Sequence, residues 1–359
     1  MKILHILTNT ELGGAQRVCI DLCASAIRDG YSVAVTSMTG GYLWDQLPKD
    51  VIQFPLKNMI KPIKLSKDIA VYFELKKVVK TFKPDIIHLH NCKAGVLGRI
   101  VALWKPNSVV YSVHGFDTIR IKHRIFLPLE RILQHFCGAI VGVSEYDSKN
   151  LISEKINQNV QTIYNGIDEN TIIPALIFPV SIKEKKVILS IARIAPPKKT
   201  KMFLDIAKKL PDYAFVLIGG DPEHSIDELK RLFNIPENVY MLGALPDASN
   251  YIKLCDLFVL FSDHEGLPMT IIEAMCQKKA IVASDVGGIY ELVDGENGAL
   301  IKNDVDSATL AIKKILEDEA LRKKMELRSY EKFLANFTLE KMWSAYKNLY
   351  EELIKRQRG

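Results

Sequence analysis

Two glutamates, Glu265 and Glu273, lie on either side of a Gly-Leu-Pro turn in the stretch DHEGLPMTIIEAM. Acids at this spacing suit a catalytic pair, a metal clamp or an ordinary helix surface. The apolar run LFVLFS before them predicts a buried strand, and MTIIEAMCQKK predicts a helix with Pro268 in its first turn. Gly266 lets the backbone approach a ligand, and the amides of residues 269–271 are expected to be unpaired at the positive end of the helix dipole. The stretch therefore predicts a phosphate site bordered by both glutamates.

A metal site is not predicted in this stretch. A divalent cation would need several carboxylates converging on the two glutamates, and the neighbouring sequence shows no such cluster. The six cysteines are scattered through mostly apolar segments with no C-x-x-C pair. This distribution predicts reduced, buried thiols in a cytosolic protein rather than a disulfide framework or a zinc site.

The elements that must position these residues follow from the composition and the hydrophobic pattern. The chain has 359 residues, of which 48% are hydrophobic and 25% charged, as expected for a soluble protein of two domains. Short apolar runs such as KILHILT, SVAVTSM, DIIHLH, KVILSIARI and YAFVLIGG alternate with segments of helical period. This alternation predicts the α/β class, with two doubly wound, Rossmann-like parallel sheets facing each other across a cleft.

We place the domain boundary at about 170–185, where the alternation pauses and then begins again. The predicted domains are 1–175 and 176–340. The final helix, 341–359, is long and amphipathic and is expected to cross back to the first domain. No apolar run is long enough to span a bilayer.

The net charge of +6 is unevenly distributed: residues 1–180 hold 21 Lys and Arg against 15 Asp and Glu, whereas the remainder holds 27 of each. The first half is therefore expected to meet something anionic. Nucleic acid is not expected, because clustered aromatic residues and a helix-turn-helix pattern are missing.

The order and spacing of several motifs resemble those of the retaining glycosyltransferases of family 4 (GT4), which have the GT-B fold. The resemblance covers nearly the whole chain, and it implies that domain 1–175 binds the acceptor and domain 176–340 the nucleotide-sugar. It is carried by the motifs GGAQRV, PDIIHLH, SVHG, IYNGID, IARIAPPKK, EGLPMTIIEAM and AIVASDVGGIYELVDGENGALI.

The resemblance implies roles for particular residues. Arg193 and Lys198 resemble the basic pair that holds the donor diphosphate, although Lys199 stands where glycine is common. Glu265 resembles the acid that contacts the transferred sugar, Glu273 the residue that binds the ribose hydroxyls, and His114 the histidine that lines the sugar pocket. The catalytic set is thus His114, Glu265, Arg193 and Lys198. Further donor-binding positions are Gly13, Gly14, Gly266, Leu267, Met269, Thr270 and Glu273.

The implied reaction transfers a hexosyl or N-acetylhexosaminyl group from a nucleotide-sugar, expected to be UDP-linked, to an acceptor hydroxyl with retention of configuration. No metal and no other cofactor is expected. The expected acceptor is a glycan or lipid-linked saccharide of envelope or capsular polysaccharide synthesis. Two alternatives stay open: a sugar-nucleotide epimerase of similar architecture and a non-catalytic sugar- or lipid-binding protein.

Two basic segments predict a peripheral contact with an anionic membrane, at the cytoplasmic face. The first, IRIKHRIFLPLERILQHF (119–136), interleaves Arg120, Lys122, His123, Arg124 and Arg131 with apolar residues, and KNMIKPIKLSK (57–67) adds further cations. An ordinary packed helix with a solvated basic face is the alternative interpretation of the first segment.

Overall fold

The computed structural model describes residues 1–11, 13–169, 177, 178, 182, 184–221, 223–245 and 247–358. The chain divides into two compact units, Met1–Ile167 with Leu339–Gly359 and Asp168–Thr338. The predicted boundary at 170–185 lies mostly outside the described residues. The closing helix begins at Leu339 and belongs to the first unit.

The first unit, called unit 1, is built on a parallel sheet of seven strands in the order β3-β2-β1-β4-β5-β6-β7. The strands are β1 Lys2–Ile6, β2 Ser32–Met38, β3 Ile52–Leu56, β4 Ile86–His90, β5 Val109–Val113, β6 Ala139–Gly142 and β7 Val160–Thr162. The helices are α1 Gly14–Arg28, α2 Tyr42–Gln46, α3 Leu65–Phe82, α4 Cys92–Val101, α5 Leu127–Leu133, α6 Glu145–Ser153 and α13 Leu339–Arg358. Every residue of β4 and β5 is buried, as expected of central strands covered on both faces.

The second unit, called unit 2, has six parallel strands in the order β10-β9-β8-β11-β12-β13. The strands are β8 Val187–Ile191, β9 Ala214–Ile218, β10 Val239–Gly243, β11 Leu257–Leu260, β12 Ile281–Ser284 and β13 Gly298–Ile301. The helices are α7 Thr200–Lys209, α8 Ile226–Leu232, α9 Met269–Cys276, α10 Ile289–Leu292, α11 Val305–Glu317 and α12 Glu319–Asn336. None of the helices among the described residues combines the length and apolarity needed to cross a bilayer.

These two sheets confirm the predicted doubly wound α/β class. Each sheet has a point at which the strand order reverses, between β1 and β4 in unit 1 and between β8 and β11 in unit 2. At such a point the loops that leave the two neighbouring strands diverge and open a crevice at the carboxyl edge of the sheet. In unit 2 the loops that leave β8 and β11 carry the predicted donor-binding residues.

Segment 119–136 does not form the single amphipathic helix that its pattern suggests. It is divided into a π-helical turn at Thr118–Lys122, a 3₁₀ turn at Arg124–Phe126, helix α5 and a second 3₁₀ turn at Gln134–Phe136. Pro128, in the first turn of α5, can begin a helix but cannot continue one from the preceding residues.

A buried ion pair joins α4 to α5 in unit 1. Nη2 of Arg99 donates to both carboxylate oxygens of Glu130, at 2.9 and 2.7 Å, and Nε donates to the carbonyl of Gly95 at 2.8 Å. The guanidinium also lies over the ring of Tyr111, 4.5 Å from its centroid. Because both charged side chains are almost fully buried, the loss of either would leave the other charge without a partner in a medium of low polarity.

We expect Glu130→Ala to lower the free energy of unfolding of unit 1 by about 3–5 kcal/mol, because it leaves Arg99 charged and unpaired. The double variant Arg99→Met/Glu130→Leu should lose less than Glu130→Ala alone, since it removes both charges. Urea denaturation monitored by circular dichroism measures both values. A double variant less stable than Glu130→Ala would contradict this account of the pair.

Candidate active site

In unit 2, the loop after β8 lies against the loop after β11. Lys198 and Ser262 form an isolated antiparallel bridge. The amide of Lys199 donates to the carbonyl of Phe261 at 3.0 Å, and the amide of Asp263 donates to the carbonyl of Pro197 at 2.9 Å. The backbone therefore brings together the two segments that the sequence predicts to bind one donor.

The side chains of Lys198 and Glu265 form an ion pair through Nζ and Oε1. Both are mostly buried, with 16% and 13% of their side-chain surface exposed. A lysine and a carboxylate in this setting are less screened than a surface pair. Any anion that binds Lys198 must therefore replace or share its contact with Glu265.

Lys199, which stands where glycine is common in the resembled family, makes a different contact. Its Nζ atom lies 2.8 Å from Oδ1 of Asp263, whose side chain is largely exposed. An exposed pair of this kind contributes little to stability. Arg193 is exposed and follows the end of β8 by two residues, so it reaches the same edge of the sheet.

Helix α9 begins at Met269, as predicted, and Pro268 is its N-cap rather than a residue of its first turn. The amide of Ile271 donates to the carbonyl of Pro268 at 3.1 Å, so it is not the unpaired donor that was predicted. The predicted amide contact is thereby reduced to Met269 and Thr270. Leu267 and Met269 have buried side chains, whereas Thr270 and Glu273 are partly exposed along the first turns of α9.

The loop that carries Glu265 is supported by two glycines whose role is not predicted from the sequence. A Cβ atom on Gly287 would lie 1.7 Å from the carbonyl oxygen of Glu265, and one on Gly288 would lie 2.2 Å from that of Gly266. Gly287 also has a φ of +58°, and the amide of Gly288 donates to the carbonyl of Glu265 at 3.2 Å. Paired glycines directly after the strand in AIVASDVGG are the sequence signal of this close backbone approach.

A cavity of about 670 Å³ adjoins the loop after β8. Lys198 lines it, together with Lys199, Asp221, His224, Asp263 and Asn303. Arg193, Glu265 and Glu273 are not among its lining residues. Lys198 is thus shared between this cavity and the contact with Glu265.

The predicted site residues of unit 1 lie at the carboxyl edge of its sheet. His114 follows β5, and its Nε2 atom lies 3.1 Å from Nδ1 of His90. Burial lowers the pKa of His114 to about 4, so its imidazole is neutral at pH 7. Gly13 is the N-cap of α1 and Gly14 its first residue.

A single group of residues in the described part of the chain has ligand atoms close enough to hold a metal ion, namely His5, Cys19 and His90 of unit 1. The ring nitrogens of His5 and His90 are hydrogen-bonded to each other at 3.0 Å, so they serve each other rather than a cation. Glu265 and Glu273 do not belong to the group. Metal independence stays a prediction.

We expect Gly287→Ala to displace the backbone of Glu265 and to weaken nucleoside diphosphate binding by about tenfold or more, since strain of this kind costs roughly 1–3 kcal/mol. The matched control is Gly295→Ala, because a Cβ atom there meets nothing within 4 Å. Isothermal titration calorimetry on both variants, with circular dichroism as a check of folding, makes the comparison. Equal affinities in the two variants would mean that the position of the Glu265 backbone does not matter for binding.

Comparison with known proteins follows the same division of the chain. Residues 12–171 match the model of Glycosyltransferase Family 4, and residues 173–332 match that of Glycosyl transferases group 1. The O-antigen biosynthesis glycosyltransferase WbnH of Escherichia coli is 30% identical over 96% of this chain and 97% of its own length. A UDP-Gal:alpha-D-GlcNAc-diphosphoundecaprenol alpha-1,3-galactosyltransferase of the same species is 29% identical over 99% and 97%.

The solved structures agree with the predicted GT-B fold. HepE of Anabaena, in complex with UDP and glucose, superposes with a TM-score of 0.82 at 22% identity, covering 97% of this chain and 98% of its own. Sucrose-phosphate synthase of Thermosynechococcus elongatus superposes with the same TM-score at 16% identity, covering 99% of both chains. These likenesses confirm the fold, and the sequence matches show that the chain belongs to the family 4, group 1 glycosyltransferases.

Proposed function

We propose that this glycosyltransferase moves a sugar from a UDP-sugar to an acceptor hydroxyl, with retention of configuration and without a metal ion. The observation that carries the proposal is the contact between Lys198 and Glu265 where the loops after β8 and β11 meet. A cation that can hold a diphosphate stands beside a carboxylate that can face a sugar. UDP is supported as the nucleotide by the UDP complex of HepE and by the UDP-Gal donor in the name of the E. coli galactosyltransferase.

The basic residues would bind the leaving group. Arg193 provides a forked guanidinium and Lys198 an ammonium, and both form charge-assisted hydrogen bonds with phosphate oxygens. The amides of Met269 and Thr270, at the start of α9, would add donors to the same anion. Together these groups would supply the positive charge that a divalent ion supplies in other sugar transferases.

The acidic residues and the histidine would bind the donor's sugars. Glu273 on α9 would accept hydrogen bonds from the ribose hydroxyls. Glu265 would accept from hydroxyls of the transferred sugar and stabilise the positive charge that develops at its anomeric carbon. His114 would bind a sugar hydroxyl of the donor, as the family resemblance implies.

The proposed reaction is a direct transfer that forms no covalent enzyme intermediate. The bond between the anomeric carbon and the phosphate oxygen breaks, and the acceptor oxygen forms its bond on the same face of the sugar. The acceptor proton passes to the departing phosphate oxygen. The residues of the site thus stabilise charge and orient the reactants instead of acting as a nucleophile.

A lipid-linked saccharide is the acceptor class that we propose. WbnH is named for O-antigen biosynthesis, and the E. coli galactosyltransferase is named for a diphosphoundecaprenol-linked acceptor. The experiment is incubation of the enzyme with UDP-sugars, with and without a polyprenyl diphosphate-linked saccharide. Transfer that depends on the acceptor is expected, whereas an epimerised UDP-sugar formed without acceptor would point to the epimerase alternative.

We expect substitutions of the basic residues and of Glu265 to change UDP affinity in opposite directions. Arg193→Ala and Lys198→Ala should weaken UDP binding by about tenfold to a hundredfold, the value of roughly 1.5–3 kcal/mol for a charge-assisted contact. Glu265→Gln should bind UDP more tightly than the wild type, because UDP no longer competes with Glu265 for Lys198, although sugar transfer should be lost. Calorimetry with UDP measures the affinities.

The matched control for this comparison is Lys199→Ala, which removes a neighbouring ammonium that pairs with Asp263. Its UDP affinity should stay within about fivefold of the wild type, since an exposed pair is worth less than about 1 kcal/mol. Unchanged UDP affinity in Arg193→Ala would contradict the assignment of the loop, and weaker binding in Glu265→Gln would contradict the competition.

Sugar transfer should survive EDTA, because Arg193, Lys198 and the α9 amides take the place of a cation. Initial rates with and without the chelator, measured after dialysis, provide the test. Loss of activity that magnesium or manganese restores would show that Glu265 and Glu273 had been misassigned.

The surface of unit 1 supports peripheral contact with a membrane, but through different groups from those that the sequence emphasises. Arg120 pairs with Asp117, and Arg124 and Arg131 both pair with Glu154, so three of the predicted cations have acidic partners. The apolar residues that adjoin them are exposed as well: Ile121, Ile125, Phe126 and Ile132. Exposed apolar side chains beside Lys122 suit shallow insertion among lipid headgroups.

The triple variant Ile121→Ser/Ile125→Ser/Ile132→Ser should reduce binding to anionic liposomes by at least about tenfold, since burial of each isoleucine contributes roughly 1.5–3 kcal/mol. The control is Leu310→Ser/Leu327→Ser, which removes exposed apolar side chains from unit 2. Co-sedimentation at low salt compares the three proteins. Equal sedimentation of all three would leave segment 119–136 an ordinary packed surface.

A further inference from the structure

A row of four histidines crosses one face of the unit 1 sheet, and the proposed function uses just one of them. His5 lies on β1, His88 and His90 lie on β4, and His114 follows β5. The rings of His90 and His114 are nearly parallel at 5.4 Å, and those of His5 and His90 at 5.3 Å. Four imidazoles in contact, all buried or partly buried, place several polar nitrogens inside unit 1, so their hydrogen bonds need an explanation.

Three of these rings form one line of hydrogen bonds. Nδ1 of His5 lies 3.0 Å from Nε2 of His90, and Nδ1 of His90 lies 3.1 Å from Nε2 of His114. At the inner end of the line, Nε2 of His5 is buried and has no hydrogen-bond partner. The line therefore runs from a closed end in the core to His114 at the carboxyl edge of the sheet.

All three rings are neutral at pH 7. Burial lowers the pKa of His5 to about 3 and that of His114 to about 4, and it lowers the pKa of His90 well below its usual value. A neutral imidazole carries one N–H and one lone pair, so each ring can donate through one nitrogen only. Along such a line, the nitrogen that carries the hydrogen on one ring determines which nitrogen carries it on the next ring.

The buried Nε2 atom of His5 determines the direction in which the hydrogen bonds along the line are donated. If its hydrogen were on Nε2, that N–H would be buried with no acceptor, and orphaned buried donors are rarer than orphaned acceptors. With the hydrogen on Nδ1, His5 donates to Nε2 of His90. His90 must then carry its own hydrogen on Nδ1 and donate to Nε2 of His114, which leaves the hydrogen of His114 on Nδ1.

We infer that His5 and His90 are positioning residues that fix His114 as the Nδ1–H tautomer. The ring of His114 thereby offers an N–H donor at the one nitrogen that is not engaged with His90. Such a donor matches an acceptor oxygen of a ligand, for example a sugar hydroxyl, and it cannot take up a proton there. This last role rests on the proposed function, whereas the tautomer itself does not.

His88 provides an internal control. Its ring stacks on His90 with centroids 4.1 Å apart, yet its nitrogens bond elsewhere, to the hydroxyls of Tyr350 at 2.6 Å and Ser112 at 2.7 Å. It shares the burial and the stacking of the row but not its line of hydrogen bonds. A substitution of His88 should disturb the packing around His90 but leave His114 in the same tautomer.

The tautomers can be read directly from the ¹⁵N chemical shifts of the ring nitrogens in the free protein, because protonated and bare nitrogens resonate in separate regions. In the wild type at pH 7, we expect His114 to have a protonated Nδ1 and a bare Nε2. His90→Phe keeps a ring in place but removes both nitrogens, so His114 should shift toward the Nε2–H form that free histidine prefers. His88→Gln should leave the His114 signals unchanged.

Three results would overturn the inference. They are a protonated Nε2 on His114 in the wild type, an unchanged His114 tautomer in folded His90→Phe, and an equal change in His88→Gln. If His90→Phe does not fold, His5→Phe serves instead, since it removes the donor that orients His90. The wild-type spectrum tests the direction of the line without any substitution.

Two substitutions at His114 then test the function of the N–H group. The side-chain amide nitrogen of asparagine is as many bonds from Cα as Nδ1, whereas that of glutamine corresponds to Nε2. His114→Asn should therefore keep a kcat/KM for sugar transfer roughly tenfold above that of His114→Gln, the value of one hydrogen bond. A higher kcat/KM in His114→Gln than in His114→Asn would contradict the contact between Nδ1–H and the sugar. If the spectra had already established the Nδ1–H tautomer, the positioning of His114 by His5 and His90 would be unaffected by that result.

Discussion

The reversal of strand order between β8 and β11 is the constraint on which the candidate site depends. Parallel strands put all their carboxyl ends on one edge, and the reversal sends the two following loops in different directions. In unit 2 these loops are then tied to each other by the bridge between Lys198 and Ser262. Residues about 70 positions apart in the chain thus become neighbours before any ligand is bound.

Charge is balanced within this site in the absence of a donor. Lys198 and Glu265 pair with each other, and Lys199 pairs with Asp263. A mostly buried ammonium and a mostly buried carboxylate would each be costly alone, so each stabilises the other. The donor is expected to take over both halves, with phosphate replacing Glu265 at Lys198 and sugar hydroxyls replacing Lys198 at Glu265. On this view, Lys198 and Glu265 each make with the other the contact that the donor is expected to make.

Much of the architecture could be predicted from the sequence because buried parallel strands are continuous apolar runs. The edge strands β3 and β13 are harder to predict: β3 contains Pro55 and is partly exposed, and β13 begins at Gly298 and has four residues. Periodicity also does not reveal that Asp117 and Glu154 pair with the arginines of segment 119–136.

The site residues could be named from motifs, but the contacts that hold them could not. The clash that a side chain on Gly287 would make with Glu265 depends on two loops meeting in space. The line from His5 through His90 to His114 depends on the register of three neighbouring strands. Local sequence carries neither relationship, because each joins residues that are distant in the chain.

The most direct measurement of the central claim is the anomeric configuration of the product. A UDP-α-linked sugar and a polyprenyl diphosphate-linked saccharide would be incubated with the enzyme, and the new linkage would be assigned from its proton coupling constant by NMR. Same-face attack beside Lys198 and Glu265 predicts an α linkage and release of UDP. A β linkage, or release of UDP with no sugar on the acceptor, would contradict retaining transfer at this site.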